Sequence, residues 1–255
     1  VITLKNAEEL ALMRTANRIV AEVLIELVAA AKAGVSTLEL DHLAEELTRK
    51  KGAIPAFKGY KPGDVEYRHS LCVSINEEIV HGIPRAGRKL KSGDIVGLDF
   101  GVSYEGFFGD SARTIAIGPV SSEAERLMKV TRDSLYAAIA QVRVGNRISD
   151  VALAVQHMAE GAGFSVVTEF AGHGIGRKLH EDPQVPNYFR SGMRNPRLQE
   201  GMVLAIEPMV NQGTPYLEIL ADGWTAVTAD RKLSAHFEHS VAVTANGPEI
   251  LSELN

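Results

Sequence analysis

From about Ala7 to Ala33, apolar residues recur every three or four positions. Leu10, Met13, Ala16, Val20, Leu24 and Val28 share one stripe, which predicts a long amphipathic helix. Asn6 or Ala7 starts it and Gly34 ends it. Ser36 or Thr37 then caps a second helix over Thr37 to Lys50, with Leu38, Leu40, Leu43 and Leu47 as its apolar set and Gly52 as its stop. Ala53 to Glu66 reads as loop, punctuated by Gly59, Pro62, Gly63 and Asp64. Beyond it the period changes. Leu71-Cys72-Val73-Ser74-Ile75 alternates as a strand, and turns follow at His81–Pro84 and Ser92–Asp94. Ile95 to Val102 and Phe107 to Ile117 read as two more strands. Their connector, Ser103-Tyr104-Glu105-Gly106, is hairpin-sized, so the two are expected to pair antiparallel.

After Gly118-Pro119 the same plan returns. A long helix starts at Ser121-Ser122-Glu123 and runs to about Val144, where Gly145-Asn146 breaks it. A shorter helix opens at Ser149-Asp150 and ends at Gly161 or Gly163. Strands are expected near Ser165–Glu169, Met202–Glu207, Thr225–Thr228 and Ser234–Val243. Each half thus runs long helix, short helix, antiparallel strands. This predicts an α+β chain, a duplicated unit sharing one curved sheet, and one domain over residues 1–255.

Composition narrows the function classes. The chain has 255 residues, of which 45% are hydrophobic and 23% charged, an ordinary globular balance. The net charge of −5 argues against a general nucleic-acid binder, which is usually basic. Cys72 is the only cysteine, so no intramolecular disulfide forms, which fits a reducing compartment. The start lacks a basic-then-apolar leader, and no window approaches about 18 uninterrupted apolar residues. A cytoplasmic protein without a membrane anchor is expected. Val1 in place of Met fits either a trimmed start or prior removal of an initiator Met.

Five polar residues interrupt apolar surroundings. Asp99 sits in Ile95-Val96-Gly97-Leu98-Asp99-Phe100, and Asp110 lies on the other arm of that hairpin, where the two carboxylates could face one another. Glu207 closes Val203-Leu204-Ala205-Ile206, Glu238 precedes His239-Ser240-Val241, and His173 is flanked by Gly172 and Gly174. Singly, each has an ordinary structural explanation: a strand end, an edge residue, a tight turn. Together they demand more. Several carboxylates buried near each other need a positive charge between them. Four carboxylates and one imidazole suit a pair of divalent ions such as Mn, Fe(II), Co or Zn. Two such ions need carboxylates that bridge them.

These residues sit in segments that resemble the type I methionine aminopeptidases, in the short bacterial form of the pita-bread metallopeptidase family. The segments are Ser74-Ile75-Asn76-Glu77, His81-Gly82-Ile83-Pro84, Leu98-Asp99 with Gly109-Asp110, Gly172-His173-Gly174-Ile175-Gly176, Ile206-Glu207-Pro208-Met209-Val210 and Phe237-Glu238-His239. The resemblance spans almost the whole chain and implies the pita-bread fold. It implies that Asp99 chelates one metal, that Asp110 and Glu238 bridge both, and that His173 and Glu207 bind the other. It implies that His81 lies near the substrate amine and the leaving nitrogen, and that His180 hydrogen-bonds the substrate carbonyl. Glu207 would also carry the proton of the attacking water. Asn76 and Ser234 resemble positions that supply a structural Na or K site. His42, His69, His157, His236 and His239 keep structural readings.

The interval between Glu207 and Glu238 lacks the large insertion of the type II enzymes, and no zinc-binding Cys/His extension precedes the catalytic region. Phe57, Tyr60, Cys72 and Trp224 fall at or near positions that line the family's methionine site. Two departures stand out. The loop from Lys61 to His69 is longer than usual, with Tyr67 unplaced, and Leu179 replaces an aromatic residue beside His180. The resemblance implies removal of the initiator Met from nascent chains and peptides with a small second residue. The expected catalyst is a monomer, near the ribosomal exit tunnel if Arg85–Lys91 or Arg190–Arg197 acts as a docking patch rather than a solvated loop. Two alternatives stand beside it: an Xaa-Pro aminopeptidase or dipeptidase of the same fold, and a metal-free binding protein.

Overall fold

A computed structural model describes residues 1–254. The first half contains α1 (Ala7–Ala30), α2 (Thr37–Lys50), β1 (Ile54–Pro55), β2 (Leu71–Ile75), β3 (Glu78–Val80), β4 (Ile95–Tyr104) and β5 (Phe107–Ala116). The second contains α3 (Ser122–Ile139), α4 (Ile148–Gly161), β6 (Ser165–Val166), β7 (Ala171–Gly174), β8 (Glu181–Pro186), β9 (Val203–Ile206), β10 (Met209–Asn211), β11 (Leu217–Ile219), β12 (Ala226–Thr228), β13 (Ser234–His236), β14 (Glu238–Thr244) and β15 (Gly247–Ile250).

Reciprocal capping boxes start the first two helices. The Asn6 side chain accepts from the Glu9 amide at 2.9 Å while the Glu9 carboxylate accepts from the Asn6 amide at 3.0 Å, and Ser36 and Glu39 repeat the exchange. α1 stops at Ala30, short of the expected Ala33, because the Gly34 amide donates to the Leu90 carbonyl at 2.8 Å and draws the chain aside. α3 stops at Ile139 rather than near Val144. Val142 is fully buried in the core, and the Gly145 amide donates to the Leu198 carbonyl.

Nine strands form one antiparallel sheet in the order β1-β4-β5-β14-β9-β7-β8, with β2 on β4 and β15 on β14. It joins the two halves directly, through β5 and β14. The β4–β5 connection is tighter than the expected four-residue linker. Only Glu105 and Gly106 turn the chain, both with positive φ (47° and 81°), the conformation that suits the twist of a two-residue hairpin. The expected strand over Ser234–Val243 breaks at Phe237: β13 joins β10 and β6 in a separate sheet, and β14 joins the large one. Strands β7, β8 and β10 escape the alternation test because glycine, proline and short length hide their period.

Alternation divides the large sheet into two faces. In β4, Val96, Leu98, Phe100 and Val102 enter the core beneath α1 and α2. In β9 and β14, Leu204, Ile206, Val241 and Val243 enter the core beneath α3 and α4. Residues of opposite parity, among them Asp99, Ala205, Glu238 and Ser240, therefore point to the other face.

Candidate active site

That other face carries the five polar residues in two neighbouring rows. Asp99 and Glu238 both lie opposite Ala112, and His173 and Ser240 both lie opposite Ala205. Asp110 stands two residues from Ala112 on β5, and Glu207 two residues beyond Ala205, so each shares that face. Asp99 and Asp110 are diagonal neighbours rather than a facing pair, since Asp110 opposes Gly101. The glycines around His173 are not a turn but part of β7. A Cβ on Gly172 would sit 2.3 Å from the Ala205 carbonyl oxygen, and one on Gly174 2.2 Å from that of Asp182.

All five residues line a cavity of about 220 Å³. Donor atoms of Asp110, His173 and Glu238 lie within 4.8 Å of one another, and His173 Nε2 is 3.6 Å from Glu207 Oε1. One oxygen each of Asp99, Asp110 and Glu238 is buried without a hydrogen-bond partner. Burial pushes the Asp99 carboxyl up to about 7. Burial, and after it the charges of the neighbouring carboxylates, drives Asp110, Glu207 and Glu238 well above the ordinary range. Unpaired, such a cluster is strongly unfavourable; a cation between the carboxylates would offset that cost. Oxygen donors with a single imidazole suit a divalent metal.

The imidazole is prepared for that role. The Gly174 carbonyl can only accept, so His173 Nδ1 carries the proton in their 2.9 Å bond, and the Nε2 lone pair is left for a ligand. Burial, then the charge of His180, holds His173 down to about 3, so it is neutral at physiological pH. The carboxylates are held from behind. The Ser240 hydroxyl donates to the Asp110 carbonyl at 2.9 Å, and that of Ser111 to the Glu238 carbonyl at 2.7 Å.

Phe57, Tyr60, Cys72, Leu179 and Trp224 form the apolar end of the same cavity, and His81 and His180 stand beside it. The long loop does not displace them. The Gly59 amide donates to the Tyr67 carbonyl at 2.8 Å and the Tyr67 amide to the Tyr60 carbonyl at 2.9 Å, so the neck is closed and, apart from Pro62 on the cavity wall, the residues between Tyr60 and Tyr67 lie outside the cavity. His81 has a positive φ of 62°, and its ring meets Phe170 and Trp224 edge-on. Burial holds it down to about 4.

Three residues of this site escaped the sequence reading, one of them Pro62, which lines the cavity from the long loop. Tyr67, unplaced there, lines the cavity. Its hydroxyl donates to the carbonyls of Leu71 (2.9 Å) and Gly82 (3.2 Å), and its ring packs edge-on against Trp224. His236, read as structural, is 2% exposed, and its Nε2 is unpartnered and lies 3.7 Å from Glu207 Oε2. The two-residue spacing from Glu238 was a signal that could have found it.

Asn76 and Ser234 do not line the cavity. The Ser234 amide donates to the Asn76 carbonyl, while the Asn76 side chain is engaged by Asp94 and the Ile95 amide. His69 pairs with Asp41, in keeping with its structural reading. The two basic segments are partly neutralised: Arg85 pairs with Asp222, Arg88 with Glu78 and Arg194 with Asp182. Among the described residues no helix is long and apolar enough to cross a membrane.

The chain is similar to known proteins in sequence and fold. The profile of metallopeptidase family M24 matches residues 11–245. A methionine aminopeptidase of Clostridium perfringens is 50% identical over 251 residues, covering 98% of each chain. The crystal structure of a methionine aminopeptidase from Thermotoga maritima superposes with a TM-score of 0.95 at 41% identity, covering all of both chains. An Xaa-Pro dipeptidase from Bacillus anthracis shares the fold at a TM-score of 0.78, with 20% identity over 99% of this chain and 62% of its own.

Proposed function

From a chain that belongs to metallopeptidase family M24, in its methionine aminopeptidase branch, we propose that Asp99, Asp110, His173, Glu207 and Glu238 hold two divalent metal ions at which amino-terminal methionine is hydrolysed. The observation that carries this reading is the convergence of all five groups, three with orphaned oxygens, on a cavity whose other end is apolar. Asp99 would hold one ion, His173 and Glu207 the other, and Asp110 and Glu238 would serve both. When bound, ions of this kind neutralise the carboxylates, polarise a carbonyl and lower the pKa of water to about 7.

The residues of the chain do the rest. Phe57, Tyr60, Tyr67, Cys72, Leu179 and Trp224 bury the methionine side chain, which favours it over a small residue by about 1.5–3 kcal/mol. His180 donates to the scissile carbonyl oxygen and supports its growing negative charge. Glu207 takes a proton from the attacking water and passes it to the leaving nitrogen as the C–N bond breaks. His81, neutral near pH 7, holds that nitrogen. His236 stands beside Glu207, with its Nε2 3.7 Å from Glu207 Oε2. Leu179 in place of an aromatic ring leaves the pocket differently shaped.

The substrate is an exposed amino terminus with Met followed by a small residue. We place the reaction on nascent chains in the cytoplasm, performed by a monomer of one catalytic domain, 1–255, near the ribosome. Asn76 and Ser234 are assigned to a structural Na or K. The Xaa-Pro alternative has only the shared fold in its favour.

The test is to strip the protein with a chelator and assay Met release from Met-Ala-Ser, adding back Mn, Fe(II), Co or Zn, with Ala-Pro-Ser in parallel. Metal-dependent release of Met alone is expected. Cleavage of Ala-Pro-Ser would move the chain to the proline-specific branch. No release, with no metal bound by elemental analysis, would favour a binding protein. Glu207→Gln is expected to lose at least about 100-fold in kcat; near wild-type turnover would sink its proton-carrying role.

A further inference from the structure

His173 and His180 stand with ring centroids 4.2 Å apart, yet their Nδ1 atoms face different partners. His173 Nδ1 meets a carbonyl, which can only accept. His180 Nδ1 meets the hydroxyl of Tyr60 at 2.8 Å. Tyr60 reaches it across the cavity mouth from the closed neck of the long loop, where its own amide donates to the Phe57 carbonyl and its carbonyl accepts from Tyr67. The two rings lie 5.2 Å apart, tilted by 37°.

A phenol can donate or accept, so two arrangements are conceivable. If His180 Nδ1–H donated, the phenol proton would be left to solvent at the cavity mouth, since among the described residues Tyr60 has no second side-chain partner. If the phenol donates, both groups are satisfied, and the ring proton of His180 is forced onto Nε2. Burial raises the phenol pKa, so the donor proton is retained at neutral pH. We propose that Tyr60 is a positioning residue that fixes His180 as its Nε2–H tautomer, the opposite of His173. The pair then presents one bare Nε2 to a metal and one N–H to the substrate carbonyl. This rests on the reading that His180 meets that carbonyl. Tyr60 therefore has a task beyond walling the methionine pocket: its hydroxyl sets the donor, while its ring packs.

The test is Tyr60→Phe, which keeps the ring and removes the hydroxyl, in protein loaded with diamagnetic Zn(II) and labelled with ¹⁵N-histidine. Long-range ¹H–¹⁵N correlation spectra identify the tautomer, and His180→Gln assigns the ring. Wild-type His180 is expected as Nε2–H, and Tyr60→Phe as a mixture of tautomers. On Met-Ala-Ser, kcat of Tyr60→Phe is expected to fall about 5–10-fold, near the worth of one hydrogen bond, with KM within about 2-fold. A wild-type Nδ1–H tautomer overturns the proposal even should the variant fail to fold. So does an unchanged tautomer in a folded Tyr60→Phe, or a shifted tautomer with unchanged kcat. His180→Gln separates the two levels. If it keeps full kcat, the reading of His180 itself is wrong; if it loses kcat while Tyr60→Phe does not, only the role of Tyr60 falls.

Discussion

Burial, and after it the charge of Asp99, pushes the Cys72 thiol well above its ordinary value. The thiolate is the reactive form, so this side chain acts as a small apolar wall. At pH 8 the native protein is expected to react with an aromatic disulfide reagent at less than roughly a hundredth of the rate of the unfolded chain. Absorbance of the released thiol measures this, and a rate equal to that of the unfolded chain would contradict the buried placement. At this scale the sequence is legible wherever a residue is out of character. Asp99, Asp110, Glu207 and Glu238 announce themselves because carboxylates in apolar strands need an explanation. Tyr67 and His236 do not. A tyrosine in a polar loop and a histidine in a mixed strand look ordinary, and their part depends on what lies across the cavity.

Close packing of α1 on β5 sets the height of the sheet beneath Asp110. A Cβ on Gly109 would lie 2.9 Å from the backbone of Ala16 and Asn17. Gly109→Ala is therefore expected to push the helix off the sheet and destabilise by about 1–3 kcal/mol. It should also lower activity through the adjacent Asp110. Denaturant unfolding with Met-release assays checks both, and an unchanged midpoint would show that the helix yields freely. Helices were the readable elements: their stripes and capping residues predicted α1, α2, α3 and α4, with errors only where the ends bend to meet other chain segments. The β4–β5 hairpin was readable too. Strand β7, which carries His173, was not, because its glycines answer to the carbonyls of Asp182 on β8 and of Ala205 on the more distant β9.

Across the whole molecule the carboxylate cluster couples stability to metal and pH. In the metal-free native state Asp99 holds its proton up to about pH 7, against 3.8 for the free side chain, and burial holds Asp110, Glu207 and Glu238 well above the ordinary carboxylate range too. The native state then binds more protons than the unfolded chain, so metal-free stability falls as pH rises from about 4 through 7. Metal displaces those protons and removes the loss. The gap in Tm between metal-loaded and chelated protein is expected to widen from pH 5 to pH 8. A gap that is constant or narrows, by calorimetry, would mean the carboxylates are already ionised without metal.

The sequence by itself determined the helices, the paired-strand plan of two similar halves, and the five groups proposed to hold metal, because periodicity and misplaced charge are local properties of the chain. Only the tertiary structure decided that these groups share one face of one sheet, that the long loop closes at its neck and leaves the pocket intact, and which partner each imidazole meets. Those outcomes follow from strand register and from hydrogen bonds between residues distant in sequence. No local pattern encodes them, since the cluster is complete only when the two halves join across β5 and β14.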